Sequence, residues 1–190
     1  LIQALRDVYG YHPYLNYLNS FRYPLAGEFA MDIDAIADLR IPSDWGLEIG
    51  VLSEMQRNYA PKLVCQVELA DTYDHKQQVV SPEDRSKGLS KMSIDISLSI
   101  IRKLAVSGKI VSEEQIRSVK ATYLRKALDM VEMYETDALI NGLEYNVHQE
   151  EKTVEMFAGN IVEAGRAFMR DPDDTPFVPR WNRVRNAIPS

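Results

Sequence analysis

The strongest constraint on the fold is a helical pattern that runs through residues 112–169. Ser112-Glu113-Glu114-Gln115 has the spacing of a capping box, in which a serine and the glutamine three residues later cap the first turn. Apolar residues then recur at the spacing of one helix face: Ile116, Val119, Tyr123, Ala127, Met130, Val131 and Tyr134. A second helix over about 150–169 would turn Val154, Phe157, Ile161 and Phe168 inward. The pattern predicts two long amphipathic helices that bury their apolar faces against partners.

Residues 81–190 as a whole are predicted to form a helical region. Ser81-Pro82-Glu83-Asp84 has the order of a helix start, with a capping serine, a proline at the first position and acids in the first turn. This helix is predicted to run to Val106 with a break near Gly88, and Gly108 ends it. The proline-rich tail predicts a partly ordered extension.

Residues 1–80 instead predict short helices mixed with short strands. A helix is expected over 1–8, ended by Gly10, and the aromatic stretch 12–21 is expected to be a loop that leads into an extended segment. The turn residues Pro-Leu-Ala-Gly at 24–27 predict a short strand on either side.

Two more helices and one more strand are predicted in the same part of the chain. Asp32 can cap a helix that reaches about Leu39, and Ser43 can cap another. The run LVCQVEL at 63–69 is short and rich in β-forming residues, so it predicts a buried strand. Its Cys65 is accordingly expected to be a buried thiol.

Composition limits the classes of function. The 190 residues, 45% of them hydrophobic, allow one domain or half of a larger one. The net charge of −6 argues against a nucleic-acid partner, because phosphate neutralisation needs clustered Lys and Arg. The chain has one cysteine and shows neither a secretion signal nor a membrane span, which predicts a cytoplasmic protein without a membrane partner. Leu1 stands inside a helical pattern, so the chain is expected to begin within a longer protein.

Glu48 and His75 are the candidates for chemistry. Glu48 stands between two glycines early in its predicted helix, where a ligand or backbone can come close and a carboxylate can accept hydrogen bonds from sugar hydroxyls. The alternative is an acid that complements the helix dipole. His75 follows the predicted strand with Asp71 and Asp74, a set that can bind a divalent cation at the carboxyl end of a strand. The alternative is a surface loop of mixed charge.

Several other polar residues are interpreted as structural. Asp32 and Asp34 have the Asp-x-Asp spacing of a metal-diphosphate site, but the first turn of a helix accounts for both. His12 precedes a proline and His148 begins a charged helix, so neither is predicted to bind a ligand.

Three motifs in the same order carry a resemblance to a known family: Pro24-Leu25-Ala26-Gly27-Glu28-Phe29-Ala30, Trp45-Gly46-Leu47-Glu48-Ile49-Gly50, and Gln66-Val67-Glu68-Leu69 running into Tyr73-Asp74-His75-Lys76. They resemble the C-terminal half of glucosyl-3-phosphoglycerate synthase, a family of retaining GT-A glycosyltransferases, and the closing PRWNRVRNAIP tail also fits. The resemblance implies an α/β fold of GT-A type for the whole enzyme. This chain would be its C-terminal part, with a few short strands followed by a mostly helical region. Residues 1–80 would complete the catalytic domain, and residues 81–190 would serve dimerisation.

The resemblance also implies roles for individual residues. Glu48 would be the catalytic glutamate placed against the donor sugar, and His75 would coordinate Mn²⁺ or Mg²⁺ together with an aspartate from the preceding half. Neighbouring positions would line the substrate site: Trp45, Gly46, Leu47, Tyr73, Asp74, Lys76, Gln77 and Gln78. Family members often have Arg-Ala-His-Arg-Asn around the histidine, so Gln77 departs from the asparagine that normally contacts the acceptor.

The implied reaction transfers glucose, with retention, from a nucleotide donor such as UDP-glucose to 3-phospho-D-glycerate. The implied partners are these two substrates, the N-terminal nucleotide-binding half of the same enzyme and a second copy in a homodimer. The chain alone is expected to be inactive, because the nucleotide-binding half would precede it. Two alternatives stay open: the same fold with another sugar or acceptor, such as mannosyl transfer, and a non-catalytic helical dimerisation module.

Overall fold

A computed structural model describes residues 1–69, 86–172 and 177–188 of the chain. These ranges are mostly helical, as the sequence predicts for the C-terminal region. The helices are α1 (Ile2–Tyr9), α2 (Pro13–Ser20), α3 (Ile33–Asp38), α4 (Leu47–Asn58), α5 (Gly88–Val106), α6 (Glu113–Ile140), α7 (Val147–Arg170) and α8 (Trp181–Ala187), with a 3₁₀ turn at Pro61–Leu63. None of the described helices is both long enough and apolar enough to cross a bilayer.

The three long helices form the framework, and α7 packs against both α5 and α6. The predicted capping box at the start of α6 is confirmed. The backbone N–H of Gln115 donates to Ser112 Oγ over 3.3 Å, and the backbone N–H of Ser112 donates to Gln115 Oε1 over 3.0 Å. Gly165 lets α7 approach α6 closely, since a Cβ there would lie 2.8 Å from Ile116.

A buried polar contact fixes α5 against α7. Asn160 is fully buried, and its Nδ2 donates to Ser93 Oγ over 2.7 Å and to Ser90 Oγ over 3.1 Å. A buried amide is stable only when its hydrogen bonds are made, so this contact sets the register of the two helices.

Residues 12–21 were predicted as a loop, and this prediction is wrong, because Pro13–Ser20 form α2. Pro13 occupies the first helical position, where its fixed φ and missing N–H suit a helix start. Tyr14, Leu15 and Leu18 then turn into the core, each at most 1% exposed. Burial of this apolar face stabilises a helix of only eight residues.

The predicted short strands are wrong for the described part of the chain. A turn forms one residue earlier than predicted, over residues 23–26, with Ala26 N–H donating to the Tyr23 carbonyl over 3.2 Å, but its flanks do not pair as strands. The β structure that the described residues show is an isolated antiparallel bridge between Pro42 and Phe177.

The predicted buried strand at 63–69 is also absent. The segment is extended at Val64 but exposed, and Leu63 and Val67 are 69% and 68% exposed. Cys65 is exposed as well, which corrects the prediction of a buried thiol. The physical reason is that a strand is stabilised by pairing with a neighbouring backbone, and the described residues offer this segment none.

The boundaries of the other helices follow the sequence with small shifts. Asp32 caps α3 as predicted, its carboxylate accepting from Asp34 N–H over 2.8 Å. The next helix starts later than the predicted cap at Ser43: Asp44 accepts from the backbone N–H of Gly46 over 2.8 Å, and α4 begins at Leu47. The predicted start at 81–84 lies outside the described residues.

Candidate functional site

Glu48 lines a groove with a volume of about 830 Å³. Its first wall is the irregular segment 21–31 with the start of α3, its second is one face of α4, and its third is residues 59–69. We call this the Glu48 groove. The three walls carry the three motifs on which the family resemblance is based, so the fold brings the first two motifs and the start of the third together.

Helix α4 presents Glu48 to the groove because one of its faces packs against the core and another lines the groove. Gly46, Ile49, Gly50 and Ser53 recur at helical spacing and are buried on the inner face. Glu48, Val51, Leu52 and Met55 have the same spacing and line the groove. The Gly-Leu-Glu-Ile-Gly motif is therefore divided between packing and the groove.

Other atoms of the chain occupy the space beside the two glycines of this motif. A Cβ at Gly46 would lie 3.1 Å from Ser99 Cβ of α5, and a Cβ at Gly50 would lie 2.2 Å from Pro42 Cδ. The close approach that the sequence predicts at these glycines is thus used to pack α4 against α5 and Pro42. Both glycines set how deeply α4 sits, and thereby where Glu48 emerges.

A buried hydrogen bond anchors the same face of α4 to α2. Tyr14 Oη and Ser53 Oγ lie 2.8 Å apart, and Ser53 Oγ also donates to the Ile49 carbonyl over 2.6 Å. Burial raises the pKa of Tyr14 above its ordinary value, so its hydroxyl stays protonated and available to this contact. The position of Glu48 thus depends on a helix that the sequence analysis missed.

The Glu48 carboxylate lies beside Gly27 of the first motif. A Cβ at Gly27 would lie 3.9 Å from Glu48 Oε1, and Glu48 itself is partly exposed. A carboxylate that is partly open to a groove can accept hydrogen bonds from hydroxyl groups. Gly27 leaves the space beside it unoccupied by a side chain.

The described lining of the groove is acidic and apolar. Glu28 and Asp32 line it together with Glu48, and no lysine or arginine occurs among the lining residues that the structure describes. Apolar contacts come from residues such as Leu52 and Met55. This wall suits hydroxyl groups and apolar surface, and phosphate groups would need positive charge from other parts of the protein.

The other predicted site residues fall into two sets. Trp45, Gly46 and Leu47 precede or begin α4 outside the lining of the groove; Trp45 is 44% exposed and Gly46 is buried. The metal ligand His75 and its neighbours lie outside the described residues: Tyr73, Asp74, Lys76, Gln77 and Gln78. Their roles stay predictions.

The remaining histidines lie away from the Glu48 groove. His12 is only 9% exposed, with its ring 6.5 Å from that of Tyr14. Burial, with Lys109 and Lys103 nearby, lowers the pKa of His12, so it stays neutral at pH 7. His148 is exposed in the first turn of α7. Among the residues the structure describes, no three His, Cys, Asp or Glu side chains form a group able to hold a metal ion.

Sequence reasoning missed the polar residues Glu28, Asp32 and Gln66 of the groove, of which Gln66 makes a long-range contact. Gln66 lines the third wall, and its Oε1 accepts from the backbone N–H of Arg22 over 2.9 Å and of Tyr23 over 3.3 Å. Its place in the third motif was a signal, but a glutamine in a predicted strand does not reveal a contact that spans more than 40 residues.

Comparison with known proteins agrees with the motifs. The chain is 41% identical over 189 residues to a protein of Persephonella marina named glucosyl-3-phosphoglycerate synthase. This alignment covers all of the present chain and 47% of the Persephonella protein. It is 44% identical over 176 residues to a Methanococcoides burtonii protein of the same name, which covers 92% of this chain and 43% of that protein. The chain resembles the C-terminal part of glucosyl-3-phosphoglycerate synthases.

The resemblance has a defined extent. The chain spans about half the length of the curated relatives it matches. No family model matches the chain, and no solved structure does. The resemblance to this family, which the sequence analysis based on three motifs, is nevertheless confirmed over the whole chain.

Proposed function

We propose that this chain supplies part of the active site of a retaining glucosyltransferase. The whole protein would transfer glucose from a nucleotide donor, UDP-glucose or similar, to 3-phospho-D-glycerate and so form glucosyl-3-phosphoglycerate. The observation that carries the proposal is the joining of the family motifs around one groove in a chain 41% identical to a named synthase. Residues 1–80 would complete a catalytic domain of GT-A type, and residues 81–190 would form the helical dimerisation region.

Glu48 would hold the donor sugar. Its carboxylate accepts hydrogen bonds from the hydroxyl groups of glucose, and Gly27 beside it leaves room for the ring. The apolar side chains of α4 in the same groove would exclude water from the sugar. No described residue is assigned as a covalent nucleophile.

A divalent cation, Mg²⁺ or Mn²⁺, would neutralise the diphosphate of the donor. The described residues form no metal-binding group of their own, so the ligands would come from His75, whose imidazole suits a divalent cation, and from outside the described residues. His75 would hold the cation together with an aspartate from the other half of the protein. Lys76 would add the positive charge that the described lining lacks.

The partners are proposed from the named relatives, of which this chain spans about half the length. The nucleotide-binding half would come from the part of the relatives that this chain does not cover. A second copy would pack against the exposed apolar end of α6. The thiol of Cys65 is free, which suits a reducing compartment.

The test uses the full-length protein with UDP-glucose, 3-phosphoglycerate and Mn²⁺ or Mg²⁺. Glu48→Gln removes the charge that accepts sugar hydroxyls, and His75→Ala removes a metal ligand, so each should lower kcat/KM about tenfold or more. His75→Ala should also raise the metal concentration needed for half-maximal rate. Product formation by chromatography measures both effects.

Two matched controls separate these roles from general damage. Asp34→Asn changes an exposed acid in the first turn of α3, and His148→Ala changes an exposed histidine in the first turn of α7. Both should keep the activity of the unchanged protein. Unaltered, metal-dependent transfer by the Glu48 and His75 variants would contradict the assignment, and a preference for mannose or free glycerate in a panel of donors and acceptors would favour the alternative substrates.

A further inference from the structure

Gln66 makes an unusual contact for a side chain in an extended segment. One oxygen, Oε1, accepts hydrogen bonds from two consecutive backbone amides, Arg22 N–H at 2.9 Å and Tyr23 N–H at 3.3 Å. The donors belong to the backbone, so their positions report the path of the chain rather than the rotamer of a side chain. The contact joins residues 44 and 43 positions apart in the sequence.

This contact connects two walls of the Glu48 groove. Arg22 and Tyr23 begin the irregular segment that leads to Gly27, which lies beside the Glu48 carboxylate. Gln66 belongs to residues 59–69, the third wall. Residues 63–69 do not form a strand, so side-chain contacts rather than backbone hydrogen bonds to a neighbouring strand connect them to the first wall.

An ion pair lies beside this hydrogen-bonded contact, and we expect it to contribute less to stability. The guanidinium of Arg22 pairs with the Glu68 carboxylate, and the two side chains are 78% and 64% exposed. Exposed ion pairs contribute little because water and salt screen them. The hydrogen bonds to Gln66 lie in the same exposed region, but they are directional and hold the backbone of Arg22 and Tyr23 beside the third wall.

We propose that Gln66 is a positioning residue that sets the width of the Glu48 groove and so the fit of the donor sugar. The proposal rests on the proposed function of Glu48. Because both backbone amides are donors, only an acceptor oxygen at this position is required. Glutamate can replace glutamine here, whereas leucine, which is similar in size, cannot.

The experiment compares Gln66→Leu and Gln66→Glu in the full-length protein. Gln66→Leu should raise the KM for UDP-glucose about fivefold or more while kcat changes less than about twofold, because the groove loses its fit for the donor but Glu48 is intact. Gln66→Glu should stay near the unchanged protein in both constants. A KM that rises equally in both variants, or in neither, would overturn the proposal.

A second readout does not depend on activity. Amide hydrogen exchange at Arg22 and Tyr23 should become faster in Gln66→Leu and stay slow in Gln66→Glu. If exchange at these amides is the same in all three proteins, the contact does not hold the wall and the proposal fails. If exchange quickens but the KM for UDP-glucose is unchanged, the contact exists but does not position the donor, which also refutes the proposal.

Failure of the proposed function gives a different result. An unchanged protein that transfers no glucose under any donor and metal condition would remove the function and the positioning role with it. The hydrogen-exchange comparison would then still decide whether Gln66 holds the two walls together.

Discussion

The carboxylate of Glu48 faces the groove because small residues on the opposite side of α4 let that helix sit deep in the fold. Gly46 meets Ser99, Gly50 meets Pro42, and Ser53 bonds to Tyr14. The helical period alone predicts this division, since residues 46 and 50 fall on one face and residue 48 on another. The sequence could not show that the chain itself fills the space above both glycines, because Pro42 and Ser99 meet α4 only in the folded structure.

Gly50→Ala tests this packing at the level of one methyl group. The new Cβ would lie 2.2 Å from Pro42 Cδ and 2.7 Å from Pro42 Cγ, so the proline or the helix must move. Overpacking of this kind costs about 1–3 kcal/mol, which outweighs the roughly 1 kcal/mol that alanine gains over glycine inside a helix. Urea unfolding should show the loss in free energy of unfolding.

Gly27→Ala is the matched control for that experiment. Its Cβ would meet only Glu48 Oε1, at an ordinary 3.9 Å, so stability should stay within about 0.5 kcal/mol of the unchanged protein. Equal stability of the Gly50→Ala protein and the unchanged one would show that α4 is not held against Pro42.

At the scale of elements, the sequence predicts helix caps more reliably than it predicts strands. The capping box of α6 and the cap of α3 depend on residues two or three apart, and both predictions are confirmed. The aromatic run at 12–21 was predicted as a loop although Pro13 is a helix-start signal, and burial of Tyr14 decided the outcome. The strand predicted at 63–69 failed because β structure needs a second backbone, which the sequence of one segment cannot supply.

The exposed segment 63–69 leads to a prediction about the complete protein. Leu63, Val67 and Leu69 are 69%, 68% and 70% exposed, and apolar side chains on an extended segment favour burial in a sheet. The named relatives have a further region that this chain does not cover. We expect a strand from such a region to pair with residues 63–69. Backbone amides of residues 64–69 should exchange slowly in the full-length protein and quickly in the 190-residue chain, as measured by mass spectrometry.

The buried face of helix α7 provides the internal control for this comparison. Peptides that contain Ala158 and Ile161, which are 1% and 3% exposed, should exchange at similar rates in both proteins. Fast exchange over residues 64–69 in both would mean that the rest of the protein leaves the segment uncovered.

At the scale of the whole molecule, α6 has two ends with different surroundings. Near its start, Ile116 and Val119 are buried against the core. Toward its C-terminus Val131 and Ala138 are also buried, but other apolar residues there and in the loop that follows are exposed: Met130, Met133, Tyr134, Leu139, Ile140 and Leu143. A concentration of exposed apolar side chains is typical of an interaction site. The sequence predicts this helix, and Ile116, Val119 and Val131 of its predicted apolar face are buried. Met130 and Tyr134 of the same predicted face are exposed, which the helical spacing alone could not show.

We expect this end of α6 to join two copies of the protein about a two-fold axis, because most homo-oligomers are symmetric and use one patch twice. Ile140 is 78% exposed, so Ile140→Glu should leave the monomer folded but place two charges in an apolar interface, and the dissociation constant of the dimer should rise about tenfold or more. Sedimentation equilibrium of the full-length protein measures this constant. Val106→Glu, at an 84% exposed position at the end of α5, is the matched control and should leave it unchanged. A full-length protein that is monomeric at all concentrations, or an Ile140→Glu variant that dimerises as tightly as the unchanged protein, would rule out this interface.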